Sequence, residues 1–243
     1  MINLMKADLC RILRKWTPYI CMVLAILDII VTIWSKKPED SFEYLSMSVP
    51  NYFSGTGCPL FSLTAMLTVF GDELKAGTMQ SVIGRGISRT KLVMAKFFDC
   101  MIIMGVQFLV MLICVFVTNS IFGMIVTGDD TVRIILSMLM RGLIPASAYI
   151  AIACFFIYTM WNTAVGVIAV LFLSVMMDLL VILAKSLMNF NLNVYWIQGI
   201  MQNSVSVFSS GGFDIFFFIG ILLYIALPLY IAILIFRRKE LDL

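Results

Sequence analysis

The sequence of 243 residues contains no histidine. That absence removes the commonest general base and the commonest metal ligand, and so argues against haem, zinc and Ser/His or Cys/His chemistry. The six cysteines (Cys10, Cys21, Cys58, Cys100, Cys114 and Cys154) form no CxxC pair and lie in or beside apolar runs, so they read as small buried hydrophobes and not as a disulfide framework. No GxxxxGK[ST] stretch occurs, so nothing here cradles ATP phosphates in the usual way. Neither catalytic nor metal-ligating residues are expected.

Charge is also sparse. Charged residues make up 13% of the chain against 62% hydrophobic residues, with a mean hydropathy of +1.03. Soluble globular domains hold roughly 45–50% apolar residues, which places this chain among integral membrane proteins. The net charge of +3 does not imply nucleic acid, because the cations cluster at the ends of hydrophobic runs and not along one face. They are topology signals.

The expected architecture is all-α: an N-terminal interfacial amphipathic helix and six transmembrane helices in one domain covering 1–243. Within residues 1–16, Ile2, Met5, Leu9, Ile12 and Trp16 recur at steps of three and four, with Lys6, Asp8, Arg11, Arg14 and Lys15 mostly between them. This pattern fits a helix lying in the inner headgroup layer. No small-residue cleavage site follows, so the segment is expected to stay attached. Apolar runs near 17–34, 55–70, 97–126, 141–160, 163–184 and 215–236 are each compatible with a crossing. With both termini inside, twelve of the seventeen basic residues fall on the cytoplasmic side. Segments 35–54 and 185–214 are too long for plain turns, and their aromatic content suits interfacial anchors or helices that cover a cavity. The second is expected to hold a re-entrant or interfacial helix on the outer face.

The segment 71–96, GDELKAGTMQSVIGRGISRTKLVMAK, carries most of the functional information. Its cations Lys75, Arg85, Arg89, Lys91 and Lys96 hold it on the cytoplasmic side. It is long enough for two short helices hinged at Gly84 and Gly86, and Ser88 suits the N-cap of the helix that follows.

A long basic cytoplasmic loop after the second of six spans resembles the membrane subunits of type-2 ATP-binding-cassette (ABC) exporters. The resemblance covers essentially the whole chain in topology, with Glu73, Gly77, Thr78, Ser88, Arg89 and Lys96 at matching places. Gly86-Ile87 stands where that family often has an apolar residue followed by proline. The resemblance implies a coupling helix in this loop that docks on a separate ABC ATPase subunit, with Glu73, Gly77, Thr78, Gly84, Arg85, Gly86, Ser88 and Arg89 as the coupling residues. ATP and Mg would belong to that partner, and this chain would bind no cofactor and hydrolyse nothing itself. A second copy or a paralogue would complete the membrane pathway. The location implied is the bacterial cytoplasmic membrane.

Asp28 and Asp178 fall inside expected spans, both about 9 Å below the outer boundary at 1.5 Å per residue. Arg141 stands at the outer end of the fourth. These charges read either as a paired tie between helices or as an acidic layer meeting cationic groups of a substrate, with Gln107 and Asn119 as further polar lining. The chain is similar in size and type to subunits that export antimicrobial and cytolytic peptides, including lantibiotic self-protection and phenol-soluble modulin exporters of Gram-positive bacteria. The resemblance therefore implies an amphipathic peptide as cargo. A drug or lipid exporter of the same family, or a membrane sensor that transports nothing, are the alternatives.

Overall fold

The computed structural model describes residues 2–35, 57–71, 84, 87–121, 128–209, 212 and 214–238. All regular structure among them is helical. An amphipathic helix α1 (Ile2–Ile12) turns into α2 (Thr17–Ser35), and α3 (Cys58–Phe70) precedes the long α4 (Arg89–Ile121). Helix α5 (Gly128–Met138) continues through a π-helical turn, Leu139–Leu143, into α6 (Ile144–Met160). Then come α7 (Thr163–Met188), a 3₁₀ turn at Leu192–Val194, and α8 (Ile197–Ser209). The last helix starts as α9 (Ile215–Ile221) and passes through a second π-helical turn, Leu222–Ala226, into α10 (Leu227–Arg238).

Four stretches among the described residues are long and apolar enough to cross a membrane: Arg89–Val117, Ile135–Met160, Thr163–Met188 and Ile215–Arg238. Of the most apolar window in each, 61% is buried for Ile135–Met160 but 12% for Thr163–Met188, so α6 is the hub and α7 lies at the periphery. Helix α6 packs on α3, α4, α7 and α10. Helix α3 has only 13 residues, about 20 Å of rise. Eight of those residues are buried, so it is sheathed by protein along most of its length.

Both π turns have the same local cause. Pro145 and Pro228 each stand two residues beyond a turn, and a proline has no N–H for the carbonyl four residues back. At the first turn, Cys58 at the head of α3 donates its thiol to the carbonyl of Gly142 at 3.1 Å and approaches that of Arg141 at 3.7 Å. Ser62, one turn further, donates to the Ala146 carbonyl at 3.1 Å. These small polar groups join α3 to α6 without a bulky side chain between the backbones.

Two of the helices run beyond the apolar spans expected within them. The run expected to begin at Arg141 is helical back to Gly128, so Arg141 sits inside a continuous helix, within its π turn, and not at a helix end. The apolar run from residue 97 lies in a helix that begins at Arg89, two turns earlier, and whose described part ends at Ile121. The segment 35–54 falls almost wholly outside the described residues.

On the face of the bundle where α3 begins, α8 forms a cap. Trp196, Ile197, Ile200 and Met201 are buried, and Trp196 packs edge to face on both Tyr149 of α6 and Tyr224 of the second π turn. The Tyr224 hydroxyl donates to the Tyr195 carbonyl at 2.8 Å, and the Gln198 amide donates to the Tyr149 hydroxyl at 3.1 Å. A Cβ at Gly199 would collide with the Asn193 carbonyl, so only glycine lets α8 start this close to the 3₁₀ turn. Asp214 holds the far end: its carboxylate accepts from the Phe216 amide at 2.9 Å as N-cap of α9, and from Ser204 of α8 at 2.6 Å.

Candidate functional site

At the opposite face, the ends of α3, α4, α6 and α10 meet around one ring, the fully buried Phe236. Tyr158 of α6 approaches it at 4.9 Å between centroids, and Trp161 stacks on it at 5.6 Å with planes 22° apart. Phe70, the last residue of α3, meets Tyr158 edge to face at 5.9 Å. Trp161 adopts a left-handed backbone, φ 57°, and closes α6. Asn162 caps α7 by accepting from the Ala164 amide at 2.9 Å. A bulky residue in that conformation costs on the order of 1–3 kcal/mol, which stacking on Phe236 helps to offset at about 0.5–1.5 kcal/mol per aromatic pair.

Three cations make the contacts at the two ends of the connector between α3 and α4. The Lys15 ammonium donates to the Thr68 carbonyl at 2.9 Å, capping the C-terminal end of α3 just before the connector leaves. Arg89, where the connector returns, donates from its guanidinium to the carbonyls of Phe236 at 2.9 Å and Arg237 at 3.3 Å, with its plane centre 5.7 Å from the Phe236 ring. Those carbonyls belong to the last turn of α10, where a helix leaves acceptors without intrahelical donors. Two turns along α4, Lys96 is almost fully buried and its ammonium meets the Asp8 carboxylate of α1 at 2.6 Å, while Arg11 stands 3.7 Å from the same carboxylate. Both ends of the connector are therefore held: the outgoing end through Lys15, the returning end through Arg89 and Lys96.

Of the expected coupling residues, Ser88, Arg89 and Gly84 are described. The Ser88 carbonyl accepts from the Leu92 amide at 3.1 Å, which puts Ser88 at the N-cap position of α4. Gly84 is exposed, and a Cβ there would meet nothing among the described residues. Glu73, Gly77, Thr78, Arg85 and Gly86 lie outside the described residues.

The residues expected to line a pathway lie on several helices. Asp28 lies on α2, Asn119 on α4 and Asp178 on α7, and their side chains are outside the described part. Helix α2 packs on α3 and α4, whereas α7 packs mainly on α6 and α3. Gln107 is buried and exchanges a hydrogen bond with Thr64 of α3, 2.8 Å from its amide nitrogen, so it ties two helices together. Arg141 lies in the π turn already described.

Sequence reasoning missed Asp8, Lys15 and the buried Asp99. Asp8 stands three residues after Met5 and four before Ile12, on the apolar stripe of α1 and not on its polar side. A lone acid on that stripe was the available signal.

Residues 12–178 match the family model of the ABC-2 family transporter protein. The chain belongs to the ABC-2 transporter family. No curated protein matches it. The matched stretch includes α2, α3, the connector, α4 and α6, and so contains all of the clamped junction except its α10 and Asp8 components. An ABC-2 permease is a multi-pass membrane protein, and membership implies a partnering ABC ATPase subunit.

Proposed function

We propose that this chain is the membrane subunit of an ATP-driven exporter, and that residues 71–88 are the joint through which a separate ATPase drives it. The observation that carries this reading is that both connector ends are held: the outgoing end by Phe70 packing on Tyr158 and by Lys15 on the Thr68 carbonyl, the returning end by Arg89 on the Phe236 carbonyl. A loop that only reversed the chain would need neither fastening. A docked segment fixed this way passes a displacement into α3, α4 and α10 together, because close-packed interiors transmit strain.

In this reading α2, α3, α4, the α5–α6 helix, α7 and the α9–α10 helix make six crossings. Both termini are cytoplasmic and α8 lies on the outer side of a bacterial cytoplasmic membrane. The subunit works as a pair with a second copy or a paralogue. Its cargo is an amphipathic peptide, as the resemblance to peptide exporters suggests. ATP and Mg are held by the ATPase, and Asp28 and Asp178 remain candidates for the layer that meets cationic groups of the cargo.

Gly84 supplies the test, since it is exposed and a Cβ placed there meets nothing among the described residues. Gly84→Trp is expected to leave expression and helical content unchanged, and to weaken co-purification of the ATPase at least tenfold. Peptide-stimulated ATP turnover in reconstituted vesicles is expected to fall in parallel. Unaltered association and turnover would refute the docking role. Turnover stimulated by small drugs and not by cationic or modulin-like peptides would refute the cargo.

A further inference from the structure

The bend between α1 and α2 encloses a cavity of about 300 Å³ against α4. Leu13, Pro18, Met22, Ile103 and Val106 are among its lining residues, Ile103 being buried and Leu13 and Val106 exposed. Gln107 also lines it, but its amide is engaged with Thr64, so the walls are apolar. The bend is held in shape: the Tyr19 hydroxyl donates to the Leu13 carbonyl at 3.0 Å, and Lys15 is anchored on α3. Leu13, Tyr19 and Val106 are all substantially exposed, so the cavity opens sideways from the bundle.

We infer that this cavity holds an acyl chain of an anionic phospholipid, with its headgroup at the α1–α2 bend. Three observations lead there. An apolar cavity of this kind does not retain water, and in a membrane protein its lateral opening meets lipid. Trp16, 81% exposed at the bend, marks the level of the membrane interface, where amphipathic rings concentrate. Charge supplies the headgroup preference. Lys6 and Arg14 are exposed on α1 and its bend, while the one acid of residues 2–20, Asp8, is buried and engaged with Lys96. The exposed charges of residues 5–20 beside the mouth are therefore all cationic, and each such cation attracts an anionic headgroup by about a fivefold factor. From Pro18 to Met22 along α2, and from Ile102 to Gln107 along α4, the cavity descends about 6–8 Å, the depth of the upper part of one acyl chain.

The test uses the full-length chain in bilayer nanodiscs of phosphatidylcholine with a minority of phosphatidylglycerol, the retained lipids being counted by native mass spectrometry. The wild type is expected to keep phosphatidylglycerol in several-fold excess over its share of the bilayer. Arg14→Gln, at an exposed position, should cut that preference about fivefold, and Val106→Trp, which fills the mouth, should abolish retention of either lipid. Retention in proportion to bilayer composition by the wild type overturns the proposal. So does unchanged preference in Arg14→Gln, which stands as a test even if Val106→Trp proves poorly folded. Displacement of no lipid by Val106→Trp with native helical content also overturns it, as does retention of a co-purified peptide in place of lipid.

Discussion

The pair between Asp8 and Lys96 offers the sharpest test of how the N-terminal helix is fastened. Their side chains are 12% and 3% exposed and 2.6 Å apart, so the pair counts as buried. Removing one partner of such a pair costs on the order of 3–5 kcal/mol, and Arg11, 3.7 Å from the Asp8 carboxylate, holds the loss from Lys96→Met near the lower end. For a chain of this size about 3 kcal/mol lowers Tm by roughly 6–12 °C. Replacing both partners by apolar residues, Asp8→Leu with Lys96→Met, removes the desolvation cost along with the attraction and should recover most of the loss. The assay is thermal unfolding of the purified chain in one fixed bilayer mimic, run as a double-mutant cycle, with amide hydrogen exchange of α1 as the local readout. Exchange in 2–12 should quicken in each single variant and return towards normal in the double. A double variant whose Tm loss equals the sum of the singles would show that the two charges do not act as a unit, and would refute the argument.

Two further outcomes are expected. Arg89→Ala removes two charge-assisted hydrogen bonds to the end of α10 and a contact over Phe236, so it should cost about 1.5–3 kcal/mol in thermal unfolding. Arg89→Lys should recover only part, because an ammonium lacks the planar fork, and peptide-stimulated ATP turnover should fall in both variants. Asp214→Ala removes the N-cap of α9 and the acceptor for Ser204, with an expected loss of about 1–2 kcal/mol and a change in Trp196 fluorescence as α8 loosens, whereas Asp214→Asn should keep most of the cap.

What could be read from the sequence was local. Runs of apolar residues marked where helices form, and the polar step at Ser88 followed by Arg89-Thr90-Lys91 marked the start of α4, because an N-cap is decided by a residue and its next three amides. The partners of Lys15, Arg89 and Lys96 could not be read. Each is separated from its partner by between 53 and 148 residues, and only the way the helices pack brings them together. At Arg141 a span limit and a helix limit part company. A hydropathy argument breaks a run at a charge, but the backbone of a helix continues through one, and here the helix extends back to Gly128.

The prolines held a signal of a different kind. Pro145 and Pro228 each lie within an apolar run, where a proline removes one ladder bond and crowds the preceding turn. A transmembrane helix can keep such a residue only if the freed carbonyls find other donors or the turn widens. Both solutions appear at Pro145, where the turn becomes π-helical and the Cys58 thiol reaches the carbonyls of Gly142 and Arg141. At Pro228 the widened turn carries Tyr224, whose hydroxyl reaches across to the chain just before α8. A cysteine read from composition as a small hydrophobe is thus a donor to the turn that a proline 87 positions later widens. Cys58→Ser would keep a donor there and Cys58→Ala would not, so the helix hub α6 is joined to α3 by a requirement that neither segment states alone.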